Sequence, residues 1–374
     1  MAPDDPADPG MYDPGLSYTT VAQTNLSRLD ADAGELFVGG YPIEELAANA
    51  SYEESVFLLL EDRLPTADEL SAFRDDLAGR RAIPEPARDL LRSAAAGGVS
   101  PMTALRAGLA ATDIDADSDG PTAAAKRVVA VVPTIVAAYW RFRQGAQPLE
   151  PDPELGHVAN YLWLLSGERP TTERTEALET FCVTLLEHGL DASSFAARTA
   201  ASAASDPVSA ATAAVGTIKG DRHAGRFAEA FAVLESARET EDVSGLLRER
   251  ATQGAVPGFG HPVYRARDPR AAVLSAELER TAESAEQTLA TIQRLDEAAK
   301  DVFGADGEFE TSDQRPEVTV EFSATALLDS TGLSPALFAP TFAVARAGGW
   351  AAHTLEAYST ETLLRPSAAY VGET

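Results

Sequence analysis

The chain has 374 residues, 45% of them hydrophobic, with 58 acidic against 30 basic side chains and a formal charge of −28 at pH 7. A surface that negative excludes nucleic acid and anionic membrane as partners, and the length exceeds what one core usually serves, so two domains are expected. The cations are almost all arginine, with Lys126, Lys219 and Lys300 the only lysines; charge of this kind suits a salty cytoplasm, where a Debye length of about 3 Å at molar salt screens self-repulsion.

In chain order, residues 1 to 16 are rich in Pro, Asp and Gly and read as a disordered lead. From Phe37 onward the pattern is turn, short helix and longer helices. Pro42 can open one helix, and Thr66 with Glu69 makes a capping box for another. Pro101 starts a helix with Leu105 and Leu109 on one face. Residues 112 to 122 are an acidic loop whose Asp-x-Asp spacing lacks the Gly and Glu placement of a calcium loop. Helices are expected at 123–145, with Pro133 as a kink or break, and at 154–166 and 171–187. Residues 192–218 are nearly all small, broken by Pro207, and are placed in a close-packed core or interface. Amphipathic helices follow at 224–249 and 271–303, then an acidic loop at 304–316, a strand candidate at Val318–Val320, and helix through 335–358. Strand signals are otherwise scarce, so the fold class is all-α. The single cysteine, Cys182, lies in an apolar run and reads as a core residue. With no uninterrupted apolar run of 18 residues and a polar start, neither a signal peptide nor a membrane span is expected, which places the protein in the cytoplasm.

The chemistry concentrates in GAVPGFGHPVYRARDPRA, residues 254 to 271, which holds a Gly/Pro backbone cradle, His261 as an acid/base group and several arginines as anion grips. His188 and His223 also sit beside chain breakers, at separations of 35 and 38 residues that are not local metal-ligand spacing, and no metal is expected. A Ser-His-Asp nucleophile lacks an elbow motif, so general acid/base work with arginine clamps fits better. His157 and His353 fall inside helical stretches and are assigned to structure.

The blocks DADAGELFVGGYPIEELA, EHGLDASSFAARTAAS, KGDRHAG, GFGHPVYRARDPRA, FAVARAGGWAAHTLE and LLRPSAAYVGE resemble, in this order, the citrate synthases, especially the shorter archaeal and bacterial type. The resemblance implies a two-domain helical homodimer, with a large domain of residues 17–223 and 338–374 and a small domain of 224–337 that closes over substrates. It implies condensation of acetyl-CoA with oxaloacetate and water to give citrate and CoA, with acetyl-CoA a substrate and no cofactor. By the same resemblance, His223 donates a hydrogen bond to the thioester oxygen, Glu321 stands at the position of the carboxylate base, and His261 polarises the ketone. His188, Arg270, Arg346 and Arg365 would hold oxaloacetate, Arg365 reaching into the partner subunit's site. Val256, Pro257, Gly258 and Gly260 would line the CoA adenine, and Arg265 would meet a phosphate. The chain departs from the family pattern at several places. Glu321 replaces aspartate, His223 is followed by Ala224, Gly225, Arg226 and Phe227, Asp191 replaces asparagine, and Pro262 replaces arginine. These departures keep two alternatives open: a 2-methylcitrate synthase or related condensing paralogue, and a catalytically weak paralogue that binds CoA or oxaloacetate and regulates.

Overall fold

The structure, a computed structural model, describes residues 12–16, 19–112, 120–261, 263–304, 317–368 and 370–372. Most of the N-terminal lead, the centre of the 112–122 loop, the 304–316 loop beyond Gly304, and Pro262 lie outside these residues.

The described chain opens with three short antiparallel strands in sequence order, β1 (Ser27–Asp30), β2 (Glu35–Val38) and β3 (Tyr41–Pro42). Ser27 lies opposite Val38 and Asp30 opposite Glu35. The sequence reading misses this sheet. Its strands run for four residues or fewer, and only Leu36 and Val38 are buried side chains of β2, so no length of alternation builds up. The remaining named elements are helices: α1 (Ile43–Asn49), α2 (Tyr52–Glu61), α3 (Ala67–Gly79), α4 (Glu85–Ala96), α5 (Pro101–Ala110), α6 (Pro121–Arg143), α7 (His157–Ser166), α8 (Thr172–Leu185), α9 (Ala192–Ser202), α10 (Pro207–Ile218), α11 (Phe227–Glu239), α12 (Val243–Ala251), α13 (Pro269–Thr281), α14 (Ala285–Phe303), α15 (Val320–Ser330) and α16 (Phe338–Thr360), with 3-10 turns at Ala224–Arg226 and Pro335–Leu337. The fold is all-α, as the sequence implies.

Local signals set most of these boundaries. Thr66 accepts from Glu69 N while Glu69 caps Thr66 N, and Ser51 and Glu54 repeat the device on α2. Asp191, Asp206 and Asp242 cap α9, α10 and α12 with their side chains. Two sequence expectations fail. Pro133 neither ends nor splits α6, which runs unbroken over 23 residues. The missing N–H and the ring clash of an interior proline cost about 3 kcal/mol; here an almost continuously buried stretch from Val128 to Tyr139 outweighs them. Val318–Val320 is not a strand: Val318 makes a lone bridge to Phe259, Thr319 is the N-cap of α15 and Val320 its first residue.

Helix α6 contains an 18-residue window of mean hydropathy 1.3, long and apolar enough to cross a membrane by length and composition, and 72% of that window is buried inside the protein. It packs against α3, α4, α5, α7, α10 and α16 as the central core helix. The small residues of α9 and α10 let these two helices pack against each other and against α16. Helices α11, α14 and α15 pack together, and α13 lies between α15 and α8.

Candidate active site

Five chain segments meet at one place: the loop after α8, the turn before α11, the loop leading into α13, the start of α15 and the middle of α16. The loop into α13 is shaped by hydrogen bonds from Gly260 N to Glu317 O (2.9 Å) and from Thr319 N to Gly258 O (3.0 Å), which lash it to the start of α15. Gly258 has φ +91°, and a Cβ there would lie 2.4 Å from Phe322 Cζ. Only glycine serves at that point. Val256 is buried in the same loop, and Pro257 and Gly260 line its partly exposed side. Arg226 donates to Ala255 O from the far side.

Asp268 caps α13 and grips Arg270 with both oxygens, at 3.0 Å to Nε and 2.7 Å to Nη2. Both side chains are buried. Burial opposes ionising Asp268, yet the guanidinium holds its carboxyl below the usual range. Arg270 Nη2 also lies 3.3 Å from His261 Nε2. His261 Nδ1 accepts from Val263 N (3.1 Å) and Tyr264 N (3.2 Å), and Nε2 faces the Arg270 guanidinium, itself only a donor. Desolvation, then the charge of Arg270, pushes His261 down to about 4. Arg270 and the edge of the His261 ring therefore share one wall, where the buried guanidinium suits an anionic ligand. His188 stands beside them, its ring 5.3 Å from that of His261 and its Nε2 3.1 Å from the Tyr264 hydroxyl. Burial and the surrounding cations hold it neutral as well.

On the opposite wall, Arg346 of α16 is buried, donates from Nε to Leu185 O (2.7 Å) and from Nη1 to Asp191 Oδ2. Its guanidinium lies 4.9 Å from the Phe342 ring centre. Phe227 stacks on Phe342 at 5.1 Å and 6°, and His223 meets the same ring at 5.9 Å. His223 Nε2 is 3.2 Å from Asp191 Oδ1. Desolvation, then Arg270, lowers His223 to about 4, and Glu321 works against them. Glu321 sits in the first turn of α15, with the Thr319 hydroxyl donating to its carboxyl. Desolvation raises its pKa despite the opposing pull of Arg270 and His223.

The structure thus brings together His188, His223, His261, Arg270, Arg346 and Glu321. Two of the sequence candidates stand apart. Arg265 is largely exposed and donates to Asp32 at 3.0 Å. Arg365 lies on the exposed extended segment after α16. His157 and His353 are buried outside the cluster: His157 stacks on Tyr52 at 5.0 Å, and His353 lies between Glu187 (3.0 Å) and Arg198 (3.1 Å). Cys182 is buried, with its thiol pushed up by desolvation, as expected of a core residue. Among the described residues no group of three or more His, Cys, Asp or Glu is placed to hold a metal ion. Sequence reasoning gave no role to Tyr264, Asp268 or Phe342. Asp268 and Tyr264 lie within the 254–271 stretch and carried a usable signal; Phe342, in an apolar helix, carried none.

A family model described as citrate synthase, C-terminal domain, matches residues 15–367. The chain is 39% identical over 370 residues to a citrate synthase of Haloferax volcanii, covering 96% of this chain and 95% of that one. It is 33% identical to a 2-methylcitrate synthase of Mycobacterium tuberculosis, covering 96% and 90%. Among solved structures, citrate synthase from Pyrobaculum aerophilum superposes with a TM-score of 0.81 at 30% identity, covering 96% of this chain and 92% of that one. A ternary complex of citrate synthase from Thermoplasma acidophilum with carboxymethyl coenzyme A and oxaloacetate superposes with a TM-score of 0.84 at 25% identity, covering 96% of each. Fold and likeness together define an acyltransferase of the condensing kind. The chain belongs to the citrate synthase family.

Proposed function

We propose that the protein condenses acetyl-CoA with oxaloacetate and water, giving citrate and CoA. The observation that carries this reading is the contact of the buried Arg270 guanidinium with the His261 imidazole, Nη2 to Nε2 3.3 Å, beside the buried His188. A 2-oxo dicarboxylate suits this pair, with a carboxylate for Arg270 and a ketone oxygen for the imidazole. Arg346, on the facing wall, suits the second carboxylate, and bidentate pairing would fix orientation as well as charge. The acyl-CoA would enter past the 254–260 loop, its acetyl group between His223 and Glu321. One of that pair must take the α-proton while the other hydrogen-bonds the thioester oxygen; the family pattern makes Glu321 the base and His223 the donor. His261 then delivers a proton to the new alkoxide, and water hydrolyses the thioester.

The packing of α11, α14 and α15 on one another supports residues 224–337 as a small domain on a large domain of 17–223 and 338–374, closing to exclude water during enolisation. The exposed position of Arg365 supports its use by a partner subunit in a homodimer. The asparagine-to-aspartate and aspartate-to-glutamate departures leave the reaction class intact, since each side chain still faces the cluster. The test is to purify the protein in molar KCl and follow CoA release from acetyl-CoA and from propionyl-CoA, each with oxaloacetate. Release with acetyl-CoA is expected to be the faster. Faster release with propionyl-CoA would convert the reading to 2-methylcitrate synthesis, and release with neither would overturn it.

A further inference from the structure

Arg346, the grip for a substrate's second carboxylate, is already paired with a carboxylate of this chain. Its Nε donates to Leu185 O (2.7 Å) and its Nη1 to Asp191 Oδ2. The Arg346 side chain is 1% exposed and that of Asp191 15%, so water screens the pair weakly and the two charges act on each other strongly. Glu187, buried and hydrogen-bonded to His353 Nε2 and the Ser27 hydroxyl, puts a second negative charge near the same guanidinium. His223 Nε2 lies 3.2 Å from Asp191 Oδ1, but that ring is neutral and adds no compensating charge. Among the described residues Arg346 Nη2 makes no hydrogen bond, so it is the edge left for a ligand.

Asp191 cannot swing aside when a ligand arrives. Its Oδ1 accepts from Ser193 N (2.7 Å), Ser193 Oγ (2.6 Å) and Ser194 N (3.1 Å), the bonds that cap α9. The Ser193 hydroxyl in turn receives Trp350 Nε1 at 3.0 Å, which pins the cap to α16 itself. Moving the carboxylate would uncap the helix. A ligand carboxylate that reaches Nη2 therefore comes to rest beside Asp191 Oδ2, and like charges that close repel. Capping does not explain the charge, because asparagine caps a helix as well as aspartate does.

Resting on the keto-acid reading above, we propose that Asp191 is a specificity-determining residue. Its carboxylate competes with the substrate's second carboxylate for Arg346, and so narrows the preference of the site for 2-oxo dicarboxylates over 2-oxo monocarboxylates. A monocarboxylate, whose one carboxylate goes to Arg270, does not meet Asp191 and is indifferent to it.

The test is calorimetric titration in KCl at neutral pH of wild type, Asp191→Asn and Asp191→Ser. The two probes are oxaloacetate, titrated directly, and pyruvate, read by competition against oxaloacetate. Both substitutions remove the charge and keep a capping side chain; melting midpoints check that each variant folds, and should one not fold, the other decides. Each variant should bind oxaloacetate on the order of 10-fold or more tighter than wild type, with pyruvate changed by less than about 3-fold. A merely structural role would move both probes together. Oxaloacetate bound no tighter, or both probes strengthened alike, overturns the proposal. If wild type makes citrate and the variants gain no affinity, the proposal fails and the reaction stands. If wild type releases no CoA with either acyl-CoA while the variants still gain affinity for oxaloacetate alone, the reaction reading fails and the role of Asp191 stands.

Discussion

At Gly258 the backbone is held at φ +91° directly over the Phe322 ring, so the loop facing the cleft and the helix carrying Glu321 share one contact. A Cβ at 2.4 Å from Phe322 Cζ cannot be accommodated without moving one of them. Gly258→Ala should raise the KM for acetyl-CoA and cost about 2 kcal/mol or more of stability; an unchanged KM and melting midpoint would show that this contact is slack. The histidines give a second expectation. His157 is lowered to about 3, first by desolvation and then by Arg81, and His223 and His261 to about 4. Each is neutral when folded, so below its unfolded pKa of about 6.5 the unfolded chain binds the extra proton first. Stability should be flat above that value and fall as pH drops through it, by about 2 kcal/mol per histidine on reaching pH 5. Thermal melts at fixed KCl between pH 7.5 and 5 measure it, and a midpoint that holds steady would contradict burial of these rings in the neutral form. Individual roles were legible only where residue type and neighbours coincide, as at His261 and Arg270. Asp191 showed itself as a substitution within a familiar block, but its grip on His223 and Arg346 joins positions 32 and 155 residues apart, and no local pattern encodes that.

Among the elements, helices announced themselves through caps and small-residue runs, whereas the strands were too short to alternate. The Pro133 error has the same root: propensity is local, and burial from six packed helices overrides it. Tertiary contact also decides which glycines are needed. In α16 a Cβ on Gly349 would lie 2.4 Å from Leu186 O and 2.7 Å from Glu187 Oε2. A backbone carbonyl cannot step aside, so Gly349→Ala should cost on the order of 3 kcal/mol and loosen the loop that presents His188. Gly79, the last residue of α3, meets nothing within 4 Å. Gly79→Ala should be neutral or stabilising by up to about 1 kcal/mol. Urea midpoints of the two variants against the parent check both, and equal shifts would contradict the packing argument.

For the molecule as a whole, the all-α class followed from the sequence, and the site residues came from a resemblance rather than from periodicity. The reason is physical: the cluster draws on five segments between His188 and Arg346, and their meeting is a property of the fold. Arg365 carries the matching expectation for assembly. If it completes the partner's site, Arg365→Ala and Arg346→Ala should each be nearly inactive, while a refolded 1:1 mixture regains on the order of a quarter of parental activity through hybrid dimers with one intact site. A mixture no better than its parts would place Arg365 outside the site.

The small N-terminal sheet has a consequence of its own. The Ser27 hydroxyl receives Gly189 N at 3.0 Å and donates to Glu187 at 3.0 Å, while Ala31 O receives Arg265 N at 2.9 Å and Asp32 receives the Arg265 side chain at 3.0 Å. The hairpin is thus a strap over both the His188 loop and the His261 loop. On the ribosome its two strands emerge early, but their anchors follow 162 and 233 residues later. At about 5–20 residues per second the second anchor arrives roughly 10–50 s after the strap is made. A two-stranded ribbon is marginal alone in water, so the strap is not pinned on both loops until Gly189 and then Arg265 have been made. The last of the buried grips, Arg346, appears later still, so the cluster can assemble only after that residue too has been made.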